Sequence, residues 1–107
     1  MNSVIMQGRL TAEPVLRFTI NNQPVASFSI AVPKRIKVEG KPTADFFDCT
    51  AWDADAENIH RFFRQGDMIL VRGRLENNNY TNREGVQMKG QVIVVEEWTF
   101  GPKKRQE

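Results

Sequence analysis

The residues that most often carry catalysis are few in this 107-residue chain, and their spacing supports none. His60 is the only histidine and Cys49 the only cysteine. Asp45, Asp48, Asp53 and Asp55 form the one acidic cluster. On a strand, Asp45 and Asp48 face opposite sides, which denies them a shared metal ion. Asp53 and Asp55 read as residues at a helix N-terminus, accepting bonds from free N–H groups where the dipole favours negative charge. No His/Cys ligand pair, phosphate-cradling glycine loop or nucleophile–base spacing is present. The sequence points away from an enzyme, a metal site or a cofactor. The aromatic residues suggest another chemistry. Phe46 and Trp52 lie six residues apart, hence on one face of one strand, and Tyr80 stands in a stretch too polar to be core. Aromatic faces interleaved with cations hold single-stranded nucleic acid, each stacked base contributing about 1–3 kcal/mol. Composition alone leaves Trp52 the alternative of filling the interior.

The elements that must position these rings follow from periodicity. Ala44 to Trp52 alternates, with Phe46, Thr50 and Trp52 opposite Phe47, Cys49 and Ala51, as in a strand. Ala56, Ile59, Phe62 and Phe63 then recur at helical spacing, and Gly66 stands where a helix stops in a left-handed conformation. Asp67 to Leu75 is a nearly apolar strand. The short helix between them is expected to plug one end of a curled sheet. Phe28, Phe62 and Phe63 take core-like positions, and His60 points to solvent. Earlier in the chain, Val4–Leu10, Val15–Thr19 and Val25–Val32 read as strands, the last with Ala26, Phe28, Ile30 and Val32 inward. Glu76–Gly85 and Gln87–Val95 suggest a long hairpin carrying an exposed Tyr80. Gly-Arg-Leu follows an apolar strand twice, at Gly8 and at Gly73, and glycine inside a strand marks a bulge or bend. About five strands, two kinks and one helix between the third and fourth long strands fit an all-β, five-stranded Greek-key barrel, the OB-fold.

Charge adds a bias. Net charge is +2, but residues 1–43 carry six Lys/Arg against two acids, residues 44–65 two against five, and residues 66–107 seven against six. Four of the first group, Lys34, Arg35, Lys37 and Lys41, lie in the polar break from Pro33 to Thr43. That segment is either a solvated hairpin loop or a basic finger that clamps a phosphate backbone. A lone Cys49 in an apolar strand reads as a buried, inert thiol. With no signal peptide or membrane-length apolar run, the expected setting is cytoplasmic, with no membrane partner.

Several separated stretches, in order, carry a resemblance. Met1 to Pro14, Val25 to Val32, Ala44 to Trp52, Phe63 to Leu75 and Val92 to Val95 resemble the bacterial single-stranded DNA-binding protein family over roughly residues 1–100. The resemblance implies an OB-fold domain at 1–101, a homotetramer, and non-enzymatic coating of single-stranded DNA in replication, recombination and repair at the nucleoid. It implies base stacking by Phe46, Trp52 and Tyr80. Phosphate contacts are expected from Lys34, Arg35 and Lys37 and, more strongly, from Arg72 and Arg74. Three departures stand out. Ile36 is the nearest candidate where many members have another aromatic, and Asn77-Asn78-Asn79 replaces a usually basic segment. Pro102–Glu107 reads as a short, basic, disordered tail without the acidic tip that recruits replication and repair partners. The rival readings are a dimeric primosomal OB-fold protein and a protein–protein interaction module that has lost DNA binding.

Overall fold

The computed structural model describes residues 1–102. Five long strands, β1 (Val4–Leu10), β3 (Pro24–Pro33), β4 (Ala44–Trp52), β5 (Met68–Asn77) and β8 (Gln91–Phe100), are joined by short β2 (Val15–Phe18), β6 (Tyr80–Thr81) and β7 (Gln87–Met88). The long strands form a ring in the order β1–β5–β8–β4–β3, closed by Arg9 and Leu10 of β1 pairing with Ala31 and Ile30 of β3. Every pairing is antiparallel except β4 with β8. One helix, α1 (Asp53–Phe62), sits between the third and fourth long strands. This is the closed OB-fold barrel expected from the pattern. The expected tail lies, from residue 103 onward, outside the described residues. None of the described helices is long and apolar enough to cross a membrane.

Alternation builds the interior. Ala26, Phe28 and Ile30 of β3, Cys49 and Ala51 of β4, Ile69 and Val71 of β5, and Ile93 and Val95 of β8 are buried, and among the described residues no polar side chain joins them. Two glycines let strands approach where a barrel this small must turn sharply. A Cβ on Gly73 would collide with the Val94 carbonyl oxygen, at the point where the β5–β8 register shifts. A Cβ on Gly8 would lie 2.7 Å from the Ala31 carbonyl oxygen, where β1 leaves β5 for β3. Both kinks expected from the repeated Gly-Arg-Leu are therefore sites of close backbone approach.

Helix α1 packs on β2, β3 and β4 through buried Ala56 and Ile59. Its ends differ from the sequence expectation. The N-cap is Trp52, with no side-chain cap, and Asp53 begins the helix with φ at +58°. Neither aspartate caps, because the strand turns straight into the helix. The Asp55 carboxylate instead accepts a hydrogen bond from Trp98 Nε1 at 3.1 Å. The helix stops at Phe62, and extended Phe63 swings its ring inward. Phe63 is 1% exposed and Phe62 48%, so Phe62 is a surface residue, set edge-on to Phe100 at 6.2 Å. Gly66 does adopt a left-handed φ of +89°, but in the turn beyond the helix rather than at its cap. That turn is closed by Asp67, whose N–H donates to the Arg64 carbonyl and whose carboxylate accepts from the Arg64 N–H.

Candidate nucleic-acid interface

Strand β4 divides its side chains cleanly. Phe47, Cys49 and Ala51 turn inward, whereas Phe46, Asp48 and Trp52 are exposed and Thr50 is half-buried. Burial, with a smaller contribution from Asp48, pushes the Cys49 thiol up to about 12, so it stays a protonated, inert thiol at neutral pH. Phe46 is 67% exposed and Trp52 40%. At about 3.3 Å per residue they stand about 20 Å apart along the strand. Opposite them, β3 offers Ala31 against Phe46, Ser29 against Asp48, Ser27 against Thr50 and Val25 against Trp52. These small side chains make a flat floor from which the two rings project, and a projecting ring has a face free for stacking.

Phe46 is also a ridge between two grooves. On one side lies an open groove of about 600 Å³ lined by Lys34, Ile36, Val38, Lys41, Pro42 and Phe46. On the other lies a groove of about 660 Å³ that runs from Phe46 and Asp48 over the core-packed Val4, Met6, Phe47 and Leu75 to Asn77, Asn79, Lys89 and Gln91. A third, of about 360 Å³, continues from Asp48 past Ser29 and Thr50 to Asn78 and Val15. Adjacent grooves share a residue, first Phe46 and then Asp48, so the three follow one another from the β3–β4 loop to the outer face of β3 and β4.

The hairpin flanks these grooves. The Asn78 N–H donates to the Gly90 carbonyl, and Tyr80 and Thr81 pair with Met88 and Gln87. The Asn82 carboxamide oxygen accepts from the N–H groups of Glu84 and Val86, closing the tip. The return arm is broken at Lys89–Gly90 rather than running unbroken from Gln87 to Val95. Tyr80 is 55% exposed and lies over Gly90, where an added Cβ would stand 3.7 Å from its ring.

The cations fall into two groups. Lys34 is tied to Asp45 at 2.6 Å at the root of the β3–β4 loop. Arg35, Lys37, Lys41 and Lys89 make no ion pair among the described residues. Arg72 and Arg74 stand on the outer face of β5, on the far side of β8 from Phe46. Arg72 Nε donates to Glu97 at 2.7 Å and its Nη1 to Glu96 at 3.2 Å. Arg74 donates to Glu76 at 2.6 Å and to Glu96 at 3.3 Å. These bonds, led by Glu97 for Arg72 and Glu76 for Arg74, push both guanidinium pKa values up. The structure thus brings Phe46 together with Lys34 and Lys41 of the loop, and it sets the strand arginines apart with their charge already answered. The four aspartates do not meet in a metal site, and none is found among the described residues.

Sequence reasoning passed over Lys89 and the place of Asp48 on this wall. The even spacing Phe46–Asp48–Thr50–Trp52 was the signal for the second. Nothing local signalled the first, since Lys89 reaches the groove only through the hairpin's break.

Residues 1–101 match the single-strand binding protein family. The chain belongs to that family. Among its relatives are the single-stranded DNA-binding protein 1 of Lactococcus lactis, 37% identical over 97 residues, and the single-stranded DNA-binding protein A of Bacillus subtilis, 41% identical over 86. The single-stranded DNA-binding protein of Lactiplantibacillus plantarum is 37% identical over 101 residues. These alignments cover 90%, 79% and 94% of this chain but 65%, 50% and 50% of the relatives, so the chain spans half to two thirds of their length.

Proposed function

We propose that this family member binds single-stranded DNA through residues 1–101, stacking bases on Phe46, Trp52 and Tyr80 and screening phosphates with Arg35, Lys37 and, once released from Asp45, Lys34. The observation that carries this reading is the position of Phe46, an exposed ring on the ridge between two grooves whose cations include Lys41 and Lys89. Stacking is indifferent to sequence because every base has a π-face. The work is non-catalytic coating of strands exposed in replication, recombination and repair at the nucleoid. Arg72 and Arg74 fit a phosphate role less well than the loop, since each must first give up a carboxylate.

The other wall supports self-association into a homotetramer. Only Arg9 and Leu10 of β1 pair with β3, which leaves the edge from Val4 to Gln7 without a strand neighbour on that side. Beside it, Ile5 is 68% exposed and lines a groove of about 340 Å³ with Leu70, between Arg72, Glu97 and Thr99. An unpaired edge next to exposed apolar surface is a template for a second copy.

Anisotropy of a labelled oligo-dT, titrated with the whole chain at several salt concentrations, tests the first reading. Tight binding that weakens as salt rises is expected; no binding at low salt leaves the interaction-module reading. Light scattering tests the second. A tetrameric mass that falls on Ile5→Lys is expected, a dimer favours the primosomal type, and a wild-type monomer overturns self-association.

A further inference from the structure

Asp48 is out of place on a surface that faces a polyanion. It is exposed, lies one pleat from Phe46 on the outer face of β4, and lines the two grooves that follow on from Phe46. No Lys or Arg makes an ion pair with it among the described residues. Instead Ser29, its cross-strand partner, donates its hydroxyl to Asp48 Oδ1 at 2.6 Å. That bond fixes the direction of the carboxylate and leaves Oδ2 and the remaining lone pairs open. Asp48 is therefore a held, acceptor-only group about 7 Å along the strand from a stacking ring.

A carboxylate there repels phosphate and turns base edges, not backbone, toward the floor. Among the bases, only guanine presents two adjacent donors, N1–H and the 2-amino group, on its Watson–Crick edge. Adenine and cytosine set one amino donor beside an acceptor, and thymine sets one donor between two acceptors. A base stacked on Phe46 has its edge within reach of the neighbouring pleat. We propose that Asp48, held by Ser29, is a specificity-determining residue that accepts a bidentate pair from guanine, giving this protein a guanine preference on top of sequence-tolerant stacking. The inference rests on the single-stranded DNA reading and adds which base the strand prefers to set beside Phe46.

The test uses the whole chain and dT oligomers with isolated guanines, which cannot form quadruplexes. Their partners carry inosine at the same positions; inosine keeps N1–H and lacks only the 2-amino group. The guanine oligomer is expected to bind about fivefold tighter per contacted base, the low end of the range for a good bidentate pair. Asp48→Ala should erase that gap, since the paired acceptor has gone. Ser29→Ala should narrow it. Equal affinity for guanine and inosine oligomers in the wild type overturns the proposal while oligo-dT binding stands. So does a gap that survives Asp48→Ala. Failure of all the oligomers to bind overturns the single-stranded DNA reading itself, and the preference with it.

Discussion

The β3–β4 wall and the β1–β5–β8 wall of this barrel are both rich in charge and exposed apolar groups, yet they use them in opposite ways. On the second wall Arg72 and Arg74 are woven between Glu76, Glu96 and Glu97, so each cation arrives with its anion. On the first, Lys41 and Lys89 line the grooves on either side of an exposed ring, and neither they nor Arg35 and Lys37 of the same loop make an ion pair among the described residues. A cation already paired within its own chain releases no counterion when a phosphate approaches, so it adds little to salt-dependent affinity. The difference teaches that a residue's chemistry is set by who answers its charge: the strand arginines suit contact between protein surfaces and the loop cations suit a polyanion.

The comparison breaks most visibly at the rings. Phe46→Ala should weaken oligo-dT binding by about 1–3 kcal/mol, roughly five- to 150-fold, with the melting temperature little changed. Trp52→Ala should fall in the same range. Should the Trp52 variant lose its thermal stability while its folded fraction binds normally, Trp52 is a packing residue and the first wall has one fewer platform.

A smaller effect is expected at the groove facing Phe46. Replacing Asn77 and Asn79 with Arg should tighten binding at low salt and steepen the slope of log affinity against log salt by about 1.4, two contacts at about 0.7 each. Stability should move by under about 0.5 kcal/mol per exposed site. Tyr80→Ala, by contrast, should lower affinity at every salt concentration with the slope unchanged. If the double Asn variant alters neither affinity nor slope, the hairpin does not touch the strand and Tyr80 leaves the interface.

The smallest effect is also the sharpest test of the two walls. Lys37→Gln should make the salt slope shallower by about 0.7, and Arg72→Gln should leave it where it was. Equal changes in the two variants would erase the distinction between free and paired cations.

Much of this was legible in the sequence because it depends on local period. Alternation alone set Phe46 and Trp52 on the face opposite Cys49, though not which face was wet, and the spaced glycines announced a barrel. What was hidden depends on contacts between distant segments. At Gly73 the register of β5 against β8 slips by one residue, so inward Val95 is followed inward not by Glu97 but by Trp98. The same slip turns Glu96 and Glu97 both toward the arginines. No reading of Arg72 and Arg74 alone could have found their partners. Phe62 lies outside the core for a related reason: the helix ends one residue sooner than its apolar pattern, and extended Phe63 alone turns inward.

Trp98 has a further use. Its indole is edge-on to Phe63 at 5.5 Å and to Phe100 at 5.6 Å, and its N–H is held by Asp55. Trp52, the only other indole, stands 40% exposed at the far end of β4. The chain therefore carries two emitters in contrasting surroundings, one wet and one wedged between the helix and the sheet. Light from Trp52 quenches when a base covers it; light from Trp98 shifts to the red when α1 lifts from the barrel. A single emission spectrum, resolved by wavelength, reports ligand occupancy and integrity of the fold as separate signals, with no label attached.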